Sequence, residues 1–183
     1  VGASAVGRML IRYFKYKGIK LINIVRKEEQ IEELKAAGAD YVLNSEKSDF
    51  EEKLKEVAAK EGATIAFDAI NGGFPEKLLR NLAANSTVHV YGFLAGGEVQ
   101  DLWRTRHLDD GKKVTGLASS DYKEEYKKRG EFERFYDDIH APLATIYKTV
   151  IHKIYEFKDI LEAIEYARNN SSKGKILIKL NSL

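Results

Sequence analysis

Six residues near the amino-terminal end, Gly2-Ala3-Ser4-Ala5-Val6-Gly7, have the types and the spacing to hold a diphosphate. Glycines let the backbone approach an anion closely. A helix opening in such a loop aims its unpaired N–H groups, and the positive end of its dipole, at that anion. The pattern is G-x-S-x-x-G, with Ser4 where the usual dinucleotide fingerprint has its middle glycine. A second group follows the apolar run Leu21-Ile22-Asn23-Ile24-Val25, which ends in Arg26-Lys27. An acid at that strand end would accept hydrogen bonds from the ribose hydroxyls of NAD and repel a 2′-phosphate. An arginine there can stack on adenine and pair with the phosphate in a fork. Arg26 and Lys27 therefore favour NADPH over NADH. The plainer readings of the same residues are a bland glycine turn and a solvated helix start.

Other candidates stand at the carboxyl ends of later strands, where open α/β sheets bind ligands. They are Asn44-Ser45, Asp68-Ala69-Ile70-Asn71 and Tyr91-Gly92-Phe93-Leu94, with Gly72-Gly73 and Gly92 permitting close backbone approach. Asp68 reads equally well as a structural cap of the turn it opens. With no Cys, this stretch offers no disulfide, thiolate zinc ligand or thiol nucleophile. His89, His107, His140 and His152 lack metal-ligand spacing, and none is nominated as catalytic.

These residues need elements to position them, and the periodicity supplies an alternating set. Val6, Met9, Leu10, Tyr13 and Phe14 recur at helical spacing up to Gly18. Strand-like runs at 21–25, 41–43, 64–67 and 87–91 alternate with helical patterns at 28–37, 49–60 and 74–84. Gly38 would close the second helix, and Ser48 with Glu51 would form a capping box on the third. Pro75 falls in the first turn of the fourth, where a missing N–H costs least. Such alternation predicts βαβ units and an α/β fold, a Rossmann-type doubly wound parallel sheet. Beyond it, 93–111 reads as loop, 113–117 as a further strand and 121–135 as one long helix with an aromatic side. Residues 151–157 lead into a helix at 158–168, and 175–180 form a closing strand.

The formal charge of +2 is too balanced to imply nucleic-acid binding, and acids cancel most of the cations at 121–136. No apolar run approaches the roughly 20 residues that span a bilayer. The stretch carries no targeting pattern. A reducing compartment, cytoplasm or mitochondrial matrix, is the expectation. Because Val1 opens inside what reads as a functional loop, the strand that should precede it is expected upstream.

Taken together, GASAVGRMLI (2–11), INIVRKEEQIEELKAAGADYVLN (22–44), FDAINGG (67–73), VHVYGFLAGGE (88–98) and IHKIYEFKDILEAIEYARNNSSKGKILIKL (151–180) resemble the medium-chain dehydrogenase/reductase superfamily. Within it the similarity points to zinc-independent quinone oxidoreductases and 2-enoyl thioester reductases. The resemblance implies a dinucleotide-binding domain over 1–150 whose first strand is cut off. Residues 151–183 would return to complete a GroES-like catalytic domain. It implies cofactor contacts from Ser4, Ala5 and Val6 at the pyrophosphate, from Arg26, Lys27 and Ser45 at the 2′-phosphate, and from Asp68, Ala69 and Gly92 along the sheet. Phe93 and Leu94 would lie towards the nicotinamide. The implied activity is hydride transfer from NADPH to a small-molecule quinone, enone or enoyl thioester. The family's catalytic groups would lie outside this stretch, so none is assigned.

Residues 99–150 match no motif of the family, and Trp103-Arg104-Thr105-Arg106-His107 with the charged 121–138 stretch reads as a solvated face or a partner surface. A homodimer through the edge strand near 113–117 is expected. The competing reading is a non-catalytic Rossmann subunit with a structural or regulatory role.

Overall fold

The computed structural model describes residues 2–95, 110–170 and 172–180. Helix α1 (Ala5–Lys17) begins where Ser4 caps it, with Oγ accepting from the Gly7 N–H at 3.1 Å. It ends at Gly18, whose φ of 69° only glycine adopts at little cost. Strand β1 (Ile22–Val25), helix α2 (Glu29–Ala36) and strand β2 (Tyr41–Asn44) follow. As expected, Gly38 closes α2: its amide bonds Lys35 and that of Ala39 bonds Leu34, both at 2.9 Å.

Helix α3 (Phe50–Glu61), β3 (Ile65–Asp68), α4 (Phe74–Arg80), β4 (Thr87–Val90) and β5 (Lys113–Gly116) continue the alternation. The capping box expected of Ser48 and Glu51 does not form. Asp49 is the cap residue, and its carboxylate pairs with Lys53 one turn on at 2.7 Å, while Ser48 stays exposed. Helix α4 has Pro75 in its first turn and ends four residues short of the predicted Ala84.

The single helix expected over 121–135 is two: α5 (Ser119–Lys128) and α6 (Phe132–His140), parted by Gly130 at φ 71°. The aromatic side closes this hairpin on itself, with the Tyr126 and Phe135 rings 5.3 Å apart. Residues 151–157 form a strand, β6 (Ile151–Glu156), then a 3₁₀ turn, α7 (Ile160–Asn169) and β7 (Lys175–Lys179). Gly96, Gly97 and the Trp103–His107 run lie outside the described residues.

All strand pairs are parallel, as predicted, but the described strands form three sheets, β1-β2, β3-β4-β5 and β6-β7. Alternation along each strand sends residues to two layers. On one face, Phe50, Leu54 and Ala58 of α3 and Leu78 and Leu79 of α4 bury against Val88, with Ile22, Ile24, Ala66 and Val114 beneath. This layer spans β1-β2 and β3-β4-β5 alike. On the opposite face, Ile11 of α1 and Leu34 of α2 pack on Val25 and Ala3, with Leu21 and Val42 beside them. Between β1 and β3 lies an apolar cavity of about 470 Å³, lined among others by Leu10, Phe14, Ile24, Ile65 and Phe67. Ile65 is 60% exposed there, an unusual state for a β-branched residue in a parallel strand. The carboxyl end of α1 is tied elsewhere: Arg12 donates to the carbonyls of Ile146 at 2.7 Å and Lys148 at 2.6 Å.

Candidate functional site

The opening loop is held by close packing that excludes any side chain at its two glycines. A Cβ on Gly7 would sit 2.0 Å from the Gly2 carbonyl oxygen, and one on Gly2 would sit 2.8 Å from that of Ile24. The Gly2 amide in turn donates to the Ile24 carbonyl at 3.0 Å, which seats the loop against the carboxyl end of β1. Ser4 is thereby fixed as the cap of α1. Its hydroxyl accepts from Gly7 and retains its own proton for donation outward. The Ser4 carbonyl takes the Arg8 amide at 3.0 Å. The amides of Ala5 and Val6 have no acceptor among the described residues. No acidic side chain stands in the first turn. Two free N–H groups, one hydroxyl and a positive dipole end suit an oxyanion, so the residues fit a diphosphate.

Beside this mouth, β1 and β2 end in register at Val25 and Asn44. The Ser45 amide donates to the Val25 carbonyl at 2.8 Å, and its hydroxyl to the same oxygen at 3.3 Å. Ser45 therefore sits against the strand end from which Arg26 and Lys27 project. Both cations are exposed, and their amides are gathered by the Gln30 side-chain oxygen at 3.4 and 3.2 Å. Lys27 leans on Glu29 at 3.6 Å. Arg26 has no ion pair among the described residues, which leaves its guanidinium available to an external anion.

The later strand ends form a second group. Asp68 is 2% exposed and accepts from the amides of Ile70 at 3.0 Å and Asn71 at 2.7 Å, building the turn after β3. Its structural reading thus has direct support. Ala69 receives the Leu94 amide at 3.0 Å, and Gly92 lies so close that a Cβ would meet the Ala69 carbonyl oxygen at 2.9 Å. Phe93 and Leu94 are open to solvent, 62% and 72% exposed. Burial, and then the Asp68 charge, push the Tyr91 hydroxyl above its ordinary pKa. Val6 and Tyr91 both line an open, mostly apolar pocket of about 610 Å³ with Phe67, Leu117, Tyr122 and Phe135, so the two groups border the same pocket.

Three features escaped sequence reasoning. Lys47 reaches Glu28, Gln30 binds two backbone amides of the β1–α2 turn, and Asn71 is buried with neither amide atom partnered among the described residues. The Asn71-Gly72-Gly73 run was a legible signal for the last, since Asn71 takes φ 66° and Gly72 φ 62°. His89 bonds Thr115 at 2.8 Å and stacks on Phe67, and His152 bonds Tyr166 at 3.0 Å. No group of three His, Asp or Glu among the described residues could hold a metal ion.

A family profile described as zinc-binding dehydrogenase matches residues 5–141. The chain belongs to that family, the medium-chain dehydrogenases/reductases. It is 32% identical over 96 residues to the mitochondrial enoyl-[acyl-carrier-protein] reductase of Rattus norvegicus, covering 50% of this chain and 26% of the relative. The fold matches a Bacillus thuringiensis protein assigned as an NADPH:quinone reductase, with a TM-score of 0.78 at 23% identity over 95% of this chain and 53% of that one. It also matches CurA of Vibrio vulnificus, solved with NADPH, with a TM-score of 0.71 at 20% identity over 100% of this chain and 56% of that one. The chain thus spans about half the length of these solved relatives, and its match covers about a quarter of the curated one. Among the described residues, no helix is long and apolar enough to cross a membrane.

Proposed function

We propose that this chain is the cofactor-holding part of an NADPH-dependent oxidoreductase that passes hydride to a quinone, enone or enoyl thioester. The observation that carries the reading is the pairing of a capped, acid-free helix mouth with an uncommitted arginine beside it. In this reading Ala5 and Val6 donate backbone N–H groups to the pyrophosphate, and Ser4 donates its hydroxyl. Arg26, with Lys27 and Ser45, takes the 2′-phosphate in preference to a bare ribose. Gly92, Phe93, Leu94, Asp68 and Ala69 would line the path towards the nicotinamide, which supplies the hydride when bound. The named NADPH proteins among the relatives support the choice of nucleotide. Isothermal titration calorimetry with NADPH and NADH is the test. Tighter binding of NADPH supports the proposal, and no heat with either nucleotide refutes it.

Residues 1–150 would form the cofactor unit and 151–183 a segment belonging to a catalytic domain. Ile154 and Leu177 support this division. They are register partners on β6 and β7, 60% and 44% exposed, as two residues would be that pack against a further layer. β5 pairs with β4 alone among the described strands, so its other edge is the proposed seat of a homodimer. Light scattering tests this, and a monomer at micromolar concentration would count against it.

A further inference from the structure

The first acid after β1 is tied to the neighbouring strand. Glu28 lies three residues beyond Val25, where a carboxylate within reach of a ribose would accept its hydroxyls and repel a phosphate. Here its Oε2 stands 3.1 Å from Lys47 Nζ and accepts from Asn44 Nδ2 at 3.2 Å. Asn44 is a firm anchor: it is 8% exposed, and its own side-chain oxygen accepts from the Glu46 amide at 3.0 Å. Lys47 follows within the same turn, its amide bonded to the Asn44 carbonyl at 3.3 Å. The partners thus come from the end of β2 and the turn after it, which lie beside the β1–α2 turn because β1 and β2 end in register.

We infer that Lys47 and Asn44 sequester Glu28, and that this clamp sets the preference of the site for a phosphorylated over an unmodified ribose. The inference rests on the proposed cofactor reading and adds the residues that tune it. The contacts hold the Glu28 carboxyl below its ordinary pKa, through the hydrogen bond from Lys47 first and that from Asn44 next, so it stays charged at neutral pH. A charged acid released beside Arg26 would compete with the phosphate for the guanidinium. It would also offer acceptors to the ribose hydroxyls of NADH. Lys47 is therefore a positioning residue that acts through Glu28.

The test measures the affinities of the full chain for 2′,5′-ADP and for 5′-AMP by calorimetry, two probes that differ by the one phosphate. In Lys47→Ala the preference for 2′,5′-ADP should fall about fivefold, the order expected when one unpaired charge is released at a partly screened surface. In Glu28→Gln the preference is kept or raised. Adding Lys47→Ala to Glu28→Gln should then cost clearly less than Lys47→Ala does alone, because only the lysine's own charge is lost and no acid is released. Lys47→Arg should retain it. An equal loss from Lys47→Ala in both backgrounds overturns the inference, since Lys47 would then act by its own charge and not through Glu28. No loss in either background overturns it too. If the unaltered chain binds both probes equally, the clamp is refuted while a nucleotide site stands. If it binds neither, the cofactor reading falls and the clamp with it. Unchanged thermal unfolding of each variant separates these outcomes from misfolding.

Discussion

Replacing Gly7 with alanine would place a methyl carbon 2.0 Å from the Gly2 carbonyl oxygen, 2.6 Å from its carbon and 3.0 Å from its Cα. Backbone atoms cannot give way as a flexible side chain does, so the loop must retreat by about 1 Å or more. Two hydrogen bonds lie in its path, Gly2 to Ile24 at 3.0 Å and the Gly7 amide to Ser4 at 3.1 Å. Each contributes about 1 kcal/mol. Residual overpacking adds about 1–3 kcal/mol. Alanine's better helix propensity returns up to about 1 kcal/mol. The net cost is then about 2–4 kcal/mol, a fall in Tm of roughly 5–15 °C for a chain of this size. Gly18→Ala is the matched control. Its φ of 69° is also unfavourable for alanine, but nothing among the described residues lies within 4 Å, so about 1 kcal/mol is expected. Thermal unfolding followed by circular dichroism compares the pair. Calorimetry should show NADPH binding to Gly7→Ala weakened at least about tenfold, because the Ala5 and Val6 amides move with the loop. Equal Tm values for the two variants, or NADPH affinity unchanged in Gly7→Ala, would refute the reasoning.

Ser4→Ala should lower stability by about 1 kcal/mol through loss of the cap and also weaken NADPH binding, measured by denaturant titration and calorimetry. Asn71→Gly should raise Tm or leave it unchanged, since it relieves φ 66° and removes a buried amide that has no partner among the described residues. A clear fall in Tm would mean that amide is satisfied. Asp40 accepts from Lys20 at 2.6 Å and from the Leu21 amide at 3.4 Å, and these contacts hold its carboxyl below the ordinary 3.8, the Lys20 hydrogen bond most of all. A depressed carboxylate stabilises above its unfolded pKa, and that contribution is lost as pH falls through the folded one. Denaturation midpoints of the unaltered chain and Asp40→Asn should therefore differ by a constant amount from pH 8 to about pH 5, and converge below about pH 4.

Much of this arrangement was legible before any coordinates. The βα alternation, the loop–helix junction at Ser4 and the glycine ends of α1 and α2 all follow from local chemistry, because each depends on residues a few positions apart. The misreadings share a cause. Gly130 looked like one glycine within an aromatic periodicity, but nothing in its neighbourhood showed that Tyr126 and Phe135 gain more by meeting across a turn. Ser48 and Glu51 had the spacing of a capping box, yet Asp49 one residue later forms an ion pair with Lys53 that sequence spacing weighed equally. The Glu28–Lys47 contact was out of reach for a different reason. It joins two turns through strand register, and register is fixed by burial of whole faces rather than by either turn.

The layer built from α3 and α4 bridges both parts of the main sheet, while α1 and α2 cover only β1-β2. The two parts are therefore held together by the α3–α4 layer. Amide protons on β4, enclosed by β3 and β5 and covered by that layer, should exchange later than those of β1 and β2, which hydrogen exchange would read.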